Sequence, residues 1–273
     1  MDSVTIIPFF DSLGPSALEY VINQTELTTM CMDGGGFEHT LKAKANCPTL
    51  KNLVLYDDVT EEQKARGNEL GLTIYTYNDV LEEGKKQTSV TFQEPVPDTI
   101  HMFCYTSGTT GDPKAAMIPH KAFIPTVVAI EYFGDVVTES DVCISYLPYA
   151  HIFEQCIFVI SLFKGYGHGY YDGNPFKLLD DIKVLKPTFF CTVPRILTRV
   201  YQKIQGSLTE KSAFIQWLFN KGVNSKRYYL ENQNDLKHKF YDSVVFKKVR
   251  AEFGGNLRSM ITASAPISGD VLQ

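Results

Sequence analysis

The sequence predicts an α/β fold in which layered sheets carry flanking helices. Short apolar runs typical of buried strands alternate with segments whose apolar residues recur every three or four positions, as in amphipathic helices. The composition agrees, because 44% of the 273 residues are hydrophobic and 21% are charged. This is ordinary for a globular protein with a substantial core, in one large or two modest domains. The net charge of −5 gives no basic surface for nucleic acid, so we expect no nucleic-acid partner.

Residues 1–98 form a run of βα units, which predicts a first subdomain that is part of one large sheet. Pro15 is expected to open a helix, because proline is favoured at the first helical position. Thr60 and Gln63 have the spacing of a capping box at the start of another helix, which ends at Gly71. The remaining predicted elements are strands at residues 4–8, 27–31, 50–56 and 72–77 and a helix around residues 39–45. The proline-rich residues 94–98 predict the boundary to a second subdomain.

Residues 99–273 are predicted as the second subdomain. Asn174 and Pro175 are expected to cap one helix, and Pro194 is expected to open another through about residue 203. Other predicted elements are strands at residues 100–104, 115–118, 141–147, 188–193 and 257–262 and a helix at residues 120–133. Residues 206–250 are predicted as a basic, amphipathic helical insertion. Two interpretations of it stay open: a solvated helical layer on the sheet, or a surface that lies against anionic lipid.

The loop from Tyr105 to Lys114 reads YTSGTTGDPK and lies between two apolar strands. Gly108 and Gly111 permit positive φ and close backbone approach, and the hydroxyl residues add donors without bulk. Lys114 adds a positive charge at the end of the loop. A concavity of amides, hydroxyls and one ammonium group suits a polyphosphate. The spacing of the common P-loop is absent, so this would be a different kind of nucleotide site.

This loop resembles the phosphate loop of the adenylate-forming enzymes, the superfamily of acyl-CoA synthetases, luciferases and peptide-synthetase adenylation domains. Four more stretches resemble the long-chain fatty acyl-CoA synthetases in particular and occur in that family's order. They are residues 8–14 (PFFDSLG), 146–154 (YLPYAHIFE), 185–195 (LKPTFFCTVPR) and 263–268 (ASAPIS).

The resemblance implies the site residues and their ligands. His151 is expected beside the acyl carboxylate as the catalytic residue, and Thr109 next to Mg²⁺ through the phosphates. Glu154 is either a pocket residue or one that orients its neighbours. Arg195 is expected to tether the structure, and the aromatic residues of 146–171 form either core or acyl-tunnel wall. The residues implied to bind ATP are Thr106, Ser107, Gly108, Thr109, Thr110, Gly111 and Lys114 at the phosphates and Ala263, Ser264, Ala265 and Pro266 as the start of the adenine-binding loop.

The implied reaction is ATP-dependent activation of a long-chain fatty acid to an acyl-adenylate and then, with CoA as co-substrate, to an acyl-CoA. Two alternatives stay open: a ligase for medium-chain or aryl acids, and a non-catalytic nucleotide-binding or scaffold protein. Ala115 and Ala263 stand where the family usually has glycine. An alanine there would strain the backbone wherever φ is positive. The family's N-terminal segment, its Mg²⁺-binding glutamate motif and its mobile C-terminal domain do not appear in the sequence. We therefore expect a fragment of the large N-terminal domain that is inactive or partly active alone.

The sequence also bears on location. Residues 1–5 have no features of a signal peptide. The most hydrophobic span, residues 142–163, is interrupted by Pro148, His151 and Glu154, so we do not expect it to cross a membrane. Six scattered cysteines without metal-binding spacing indicate reduced, mostly buried thiols. A cytoplasmic protein is expected, with peripheral contact to the endoplasmic reticulum or another organelle membrane as an open extension.

Overall fold

The computed structural model describes residues 3–9, 15–106, 113–132, 134, 136–233, 235 and 238–272. They belong to two units, Met1–Ala122 and Phe123–Gln273. The division thus falls later than the proline-rich residues 94–98. Residues 99–122 stay with the first unit because Ile6 pairs with Met102 and the Tyr105 hydroxyl donates to Gln24 Oε1 over 2.5 Å.

A three-stranded parallel sheet in the order β1-β2-β3 forms the centre of the first unit. Helix α2 covers its inner side, where Phe37, Leu50, Leu53 and Leu72 are almost completely buried. The strands are β1 (Thr29–Met32), β2 (Asn52–Leu55) and β3 (Thr73–Thr76), and the helices are α1 (Pro15–Gln24), α2 (Phe37–Lys44), α3 (Glu61–Glu69) and α4 (Tyr77–Lys86).

The caps of these helices show how far the local sequence determines the first unit. The predicted capping box is present, because the Thr60 hydroxyl accepts from Gln63 N and the Gln63 side chain accepts from Thr60 N. Helix α4 was not predicted, although Thr76 and Asp79 form a second capping box at its start. The strand predicted at residues 4–8 is reduced to the single bridge at Ile6.

A two-stranded antiparallel hairpin completes the first unit. It consists of β4 (Ile100–Thr106) and β5 (Lys114–Pro119), as the sequence predicts for the segments on either side of the glycine-rich loop. A 3₁₀ turn at His120–Ala122 follows β5.

The second unit contains a four-stranded, all-parallel sheet in the order β7-β6-β8-β9. The strands are β6 (Val142–Ser145), β7 (Gly167–Tyr170), β8 (Phe189–Thr192) and β9 (Ser259–Thr262). The helices are α5 (Phe123–Tyr132), α6 (Ile152–Lys164), α7 (Leu178–Leu185), α8 (Pro194–Thr209), α9 (Ala213–Gln233), α10 (Lys239–Val244), α11 (Lys247–Glu252) and α12 (Gly269–Leu272).

Alternate residues of the strands face two separate cores. Cys143 and Phe189 pack with α5 and α6 on one face, and Ile144 and Phe190 pack with α7 on the other. Asn174 does not cap α7. Its side chain accepts from Phe176 N and holds a turn that precedes the helix.

The amino ends of three neighbouring strands meet at one buried carboxylate. Asp141, which precedes β6, accepts hydrogen bonds from Thr188 Oγ1 (2.6 Å), Thr138 N (2.7 Å) and Arg258 Nε (3.0 Å). Thr188 precedes β8 and Arg258 precedes β9, so this Asp141 network ties the three strands together. Burial acts to raise the pKa of Asp141, but these hydrogen bonds outweigh it and hold the pKa well below its usual value.

Within the described residues, no helix is long and apolar enough to span a membrane. The segment predicted as a helical insertion, residues 206–250, contains the end of α8 followed by α9, α10 and α11. Three of the six cysteines, Cys47, Cys143 and Cys191, are buried free thiols, whereas Cys31 is exposed.

Candidate functional site

The β4–β5 hairpin presents the ends of the predicted phosphate loop. Thr106 and Lys114 pair across the hairpin, and the Thr106 hydroxyl lies 3.4 Å from the Lys114 carbonyl oxygen. Both residues are exposed, at the end of the hairpin where the loop connects the strands. The other predicted loop residues, Ser107, Gly108, Thr109, Thr110 and Gly111, lie outside the described residues.

The second group of candidate residues lies at the carboxyl edge of the sheet in the second unit. The chain passes from β6 to its neighbour β7 through α6, which packs on one face of the sheet. It passes from β8 to β9, in the other direction, through α8, whose Ile196 packs on the opposite face. The strand order therefore reverses between β6 and β8. In open parallel sheets a ligand typically binds outside the carboxyl ends of the strands at such a reversal.

His151 lies beside this reversal, at the N-cap position of α6, and is exposed. Its backbone N–H donates to the Pro148 carbonyl over 2.9 Å, and its φ of −87° and ψ of 133° turn the chain from the loop into the helix. The backbone amides of the first helical turn point toward the same edge, where they favour negative charge. The position fits a residue that donates to a carboxylate or phosphate oxygen.

The hydroxyl of Tyr146 lies between the carboxyl ends of the two central strands, β6 and β8. It lies 2.9 Å from Thr192 Oγ1, so the residues just after β6 and at the end of β8 are joined across the reversal. Burial raises the pKa of Tyr146 to about 12. Its ring packs on Phe190 with centroids 5.7 Å apart, which makes this aromatic side chain part of the core rather than of an open tunnel wall.

Glu154 orients its neighbours beneath the loop that carries His151. Its side chain is buried, and Oε1 accepts a hydrogen bond from the Ser145 hydroxyl at the end of β6. His168 Nε2 of β7 lies 3.9 Å from the same oxygen. These contacts fix the first turn of α6 to the sheet, and so favour the orienting role over the pocket role.

His168 was missed by the sequence analysis. Its two ring nitrogens are buried without a hydrogen-bond partner among the described residues, and its ring stacks between Tyr166 and Tyr170. The pattern Gly-His-Gly is the signal that could have found it. A side chain at Gly169 would lie 2.7 Å from Leu185, so a small residue there lets α7 pack closely against β7.

The predicted adenine loop leaves the carboxyl end of β9. Ser264, Ala265 and Pro266 are exposed there, and Ala263 N lies 3.4 Å from the Thr192 carbonyl oxygen of β8. The hydroxyl of Thr262 is buried without a hydrogen-bond partner among the described residues, which leaves a polar atom at this edge for a bound group.

The backbone conformation shows no strain at the two alanines that replace the family's glycines. Neither Ala115 nor Ala263 has positive φ, so their methyl groups cause no strain. Within residues 263–266 it is Ser264 that has positive φ, at 77°. Such a conformation costs a non-glycine residue roughly 1–3 kcal/mol and is typical of binding sites.

The structure thus groups some candidate residues and leaves others separate. His151 follows β6 and the 263–266 loop follows β9, so both lie at the carboxyl edge of one sheet. The two strands are two positions apart, which separates their axes by roughly 10 Å. Thr106 and Lys114 share the hairpin of the first unit. Arg195 lies exposed in the first turn of α8. The described residues contain no group of three or more His, Cys, Asp or Glu side chains placed to hold a metal ion.

Cavity volume does not locate the site. A cavity of about 950 Å³ lies between the β1–β3 sheet and α4 and includes none of the candidate residues. A second cavity, of about 390 Å³, lies beside Tyr105 and Ala115, next to the hairpin.

Comparisons with known proteins identify relatives over nearly the whole chain. Long chain acyl-CoA synthetase 7, peroxisomal, of Arabidopsis thaliana is 34% identical over 99% of this chain and 38% of its own length. Long-chain-fatty-acid–CoA ligase 5 of Rattus norvegicus is 35% identical over 99% of this chain and 40% of its own length. The chain therefore spans about two fifths of the length of these curated relatives.

A solved structure shows the same fold. The A-PCP didomain of the carboxylic acid reductase from Segniliparus rugosus, in complex with AMP, superimposes with a TM-score of 0.72. The match covers 98% of this chain and 36% of that protein at 17% sequence identity, so it bears on the fold alone. It confirms the predicted α/β architecture of an adenylate-forming enzyme's N-terminal domain. The profile of the AMP-binding enzyme family matches residues 3–273, and the chain belongs to that family.

Proposed function

We propose that this protein is a long-chain fatty acid–CoA ligase of the AMP-forming type. The observation that carries the proposal is the match of the AMP-binding enzyme family over residues 3–273, with the long-chain synthetases as curated relatives at about one third identity. The exposed Thr106 and Lys114 at the hairpin and His151 at the reversal of the strand order agree with it.

The proposed reaction has two steps. First, a carboxylate oxygen of the fatty acid attacks the α-phosphorus of ATP, which forms the acyl-adenylate and releases pyrophosphate. Second, the thiol sulfur of CoA attacks the acyl carbon, which forms the thioester, releases AMP and frees the thiol proton. The protein's contribution to the first step is positioning and electrostatic stabilisation.

In the first unit, Lys114 is proposed to hold the outer phosphates of ATP. Its ammonium group and the Thr106 hydroxyl are accessible and carry the donor chemistry that a phosphate requires. Ser107, Gly108, Thr109, Thr110 and Gly111 are proposed to add amide and hydroxyl donors. Mg²⁺ would enter with the phosphates, next to Thr109, where it would neutralise charge on the leaving pyrophosphate.

In the second unit, His151 is proposed to donate a hydrogen bond to the oxygen at which negative charge develops between carboxylate and phosphate. Ala263, Ser264, Ala265 and Pro266 are proposed as the ledge against which adenine rests. Two observations support a ligand at this edge: the Thr262 hydroxyl is buried with no hydrogen-bond partner among the described residues, and Ser264 has positive φ.

ATP titration of the wild-type chain and Lys114→Ala tests the phosphate site. One charge-assisted contact contributes roughly 1.5–3 kcal/mol, so we expect the variant to bind at least about tenfold more weakly. Lys42→Ala, at an exposed lysine of α2, is the matched control and should bind ATP like wild type. Equal, negligible binding by all three proteins would favour the non-catalytic scaffold.

The substrate class needs its own measurement. In a protein that contains this chain and has the full length of the curated relatives, pyrophosphate release should depend on a fatty acid. It should rise as the acyl chain is lengthened, because each buried methylene adds about 0.8 kcal/mol. Preference for benzoate or for an eight-carbon acid would instead identify an aryl or medium-chain ligase.

We also propose a cytoplasmic protein that contacts an organelle membrane such as the endoplasmic reticulum at its periphery. The proposed substrate partitions into lipid, and the basic, aromatic helical region at residues 206–250 supports such contact. Fractionation of cells with and without a high-salt wash tests it, because salt releases a protein held by charge.

A further inference from the structure

Helix α9 is held to the second unit by one face. Gly222 is buried against Tyr241 of α10, and the rings of Phe219 and Phe246 meet edge to face with centroids 5.8 Å apart. Lys226, on the same face, lies with its Nζ 5.1 Å from the centre of the Phe246 ring. These contacts fix the rotation of α9 about its axis.

The opposite face of α9 carries aromatic side chains in solvent. Phe214, Trp217, Lys221 and Tyr228 are separated by three, four and seven residues, which places them along one stripe of a helix. All four are exposed, Phe214 at 67% and Trp217 at 52%. We call these four residues the α9 stripe. Large apolar side chains rarely line up in solvent without a partner.

The aromatic residues of the stripe are accompanied by positive charge. Lys221 Nζ lies 5.1 Å from the centre of the Trp217 ring, and Phe214 and Trp217 stack with centroids 5.9 Å apart. Residues 206–250 contain nine Lys or Arg and only four Asp or Glu, although the whole chain has a net charge of −5. The excess positive charge is thus concentrated in the segment of the chain that contains the stripe.

We propose that the α9 stripe binds an anionic lipid surface. The Phe214 and Trp217 rings enter the boundary between headgroups and acyl chains, and Lys221 contacts lipid phosphates. Aromatic rings with one polar edge favour that boundary, and lysine methylenes reach along apolar surface while the ammonium group stays in water. Charge complementarity selects this partner, because an acidic membrane attracts the basic helical region while the rest of the chain is acidic.

The inference deepens the peripheral location proposed above and is independent of ATP chemistry. If the wild-type chain does not bind ATP, the lipid proposal still stands. If the chain does not bind lipid, the ligase proposal still stands. The residues involved lie on one helix of one unit, and none of them is among the candidate catalytic or nucleotide-binding residues.

Trp217 reports on its own insertion, because it is the only tryptophan of the chain. We expect its fluorescence to shift to shorter wavelength when the protein is titrated with vesicles of phosphatidylcholine containing phosphatidylserine, and to be quenched by lipids brominated on the acyl chain. Vesicles of phosphatidylcholine alone should produce a much smaller change. Raising the salt concentration should weaken binding, because each lysine contact with the surface is screened.

Variants separate the apolar and the charged parts of the stripe. In co-sedimentation with the acidic vesicles, Phe214→Ala should bind about tenfold more weakly and Lys221→Gln about fivefold more weakly than wild type. Two controls should bind like wild type: Phe176→Ala, an 81% exposed aromatic residue beside Arg199, and Lys42→Gln on α2. Circular dichroism verifies that each variant is folded, which is expected because the changed side chains are exposed.

Three outcomes would overturn the proposal. The first is equal binding of Phe214→Ala, Lys221→Gln and the controls to acidic vesicles. The second is a Trp217 spectrum that does not respond to acidic vesicles. The third is a shift that depends on protein concentration without any lipid, which would assign the stripe to contact between copies of the chain.

Discussion

Replacing Asp141 with asparagine removes the charge that joins the amino ends of β6, β8 and β9. In the wild type this carboxylate accepts from the hydroxyl of Thr188, from the backbone and hydroxyl of Thr138 and from the guanidinium of Arg258. An asparagine amide nitrogen in the same place would face at least one of these donors. We therefore expect Asp141→Asn to unfold the second unit more easily.

The expected loss of unfolding free energy in Asp141→Asn follows from the burial of Asp141 and Arg258. Removing one partner of a buried ion pair typically costs about 3–5 kcal/mol. The Arg258 side chain is 40% exposed and can recover hydration, so we expect the lower end, about 3 kcal/mol. With a urea dependence of about 2 kcal/mol per molar, the unfolding midpoint measured by circular dichroism should fall by about 1.5 M.

The Asp141 network also makes the unfolding free energy depend on pH. Hydrogen bonds hold the pKa of Asp141 below its value in the unfolded chain, which is about 4, so on acidification the unfolded chain takes up the proton first. The stabilisation is complete above about pH 5 and is lost as the pH falls through about 4 toward the lower folded pKa. The difference in unfolding free energy between wild type and Asp141→Asn should accordingly narrow between pH 7 and pH 3.

The control for this experiment is Asp270→Asn. Asp270 is also in the second unit, but its carboxylate is largely exposed and lies 4.0 Å from Arg227 Nη2, so its removal should cost less than about 1 kcal/mol. If Asp141→Asn and wild type unfold at the same urea concentration at pH 7, the Asp141 network contributes no net stability and the reasoning is wrong.

Three further changes test the packing and capping. Gly67→Ala should destabilise the first unit by about 1–3 kcal/mol, because the new methyl group would lie 2.3 Å from Ile74 Cδ1; urea unfolding measures it. Tyr146→Phe should cost about 1 kcal/mol through loss of the Thr192 contact, and in the wild type an absorbance titration should show one phenol ionising at about pH 12. Thr60→Ala removes the hydroxyl that caps α3 and should lower the stability of the first unit by about 1 kcal/mol, seen as a lower thermal midpoint.

The strands were the most predictable part of the fold. Five-residue to seven-residue apolar runs with clear polar ends predicted all the strands of both sheets except β7. That strand reads Gly-His-Gly-Tyr and has no apolar run, because its small residues make room for α7. Helix α6 was also missed, since it is buried on several sides and its apolar residues do not form a single stripe.

The candidate site was predictable only in part. The motifs gave the positions of His151 and residues 263–266, and parallel strands then bring their carboxyl ends to one edge. The contact of Glu154 with Ser145 and His168 was beyond sequence reasoning. It depends on the register of β6 with β7 and on the rotation of α6, which no local pattern reveals.

The amino edge of the sheet in the second unit carries a buried charged network, whereas the carboxyl edge leads into exposed loops. Asp141 anchors three strands where they begin, while the segments that follow the same strands, including His151 and Ser264, are exposed where they end. Substitutions in the loops at the far edge should therefore be possible without loosening the scaffold. Mutational scanning should show this as a gradient of tolerance along each strand, strict at Asp141 and permissive toward the loops except at residues that touch substrate.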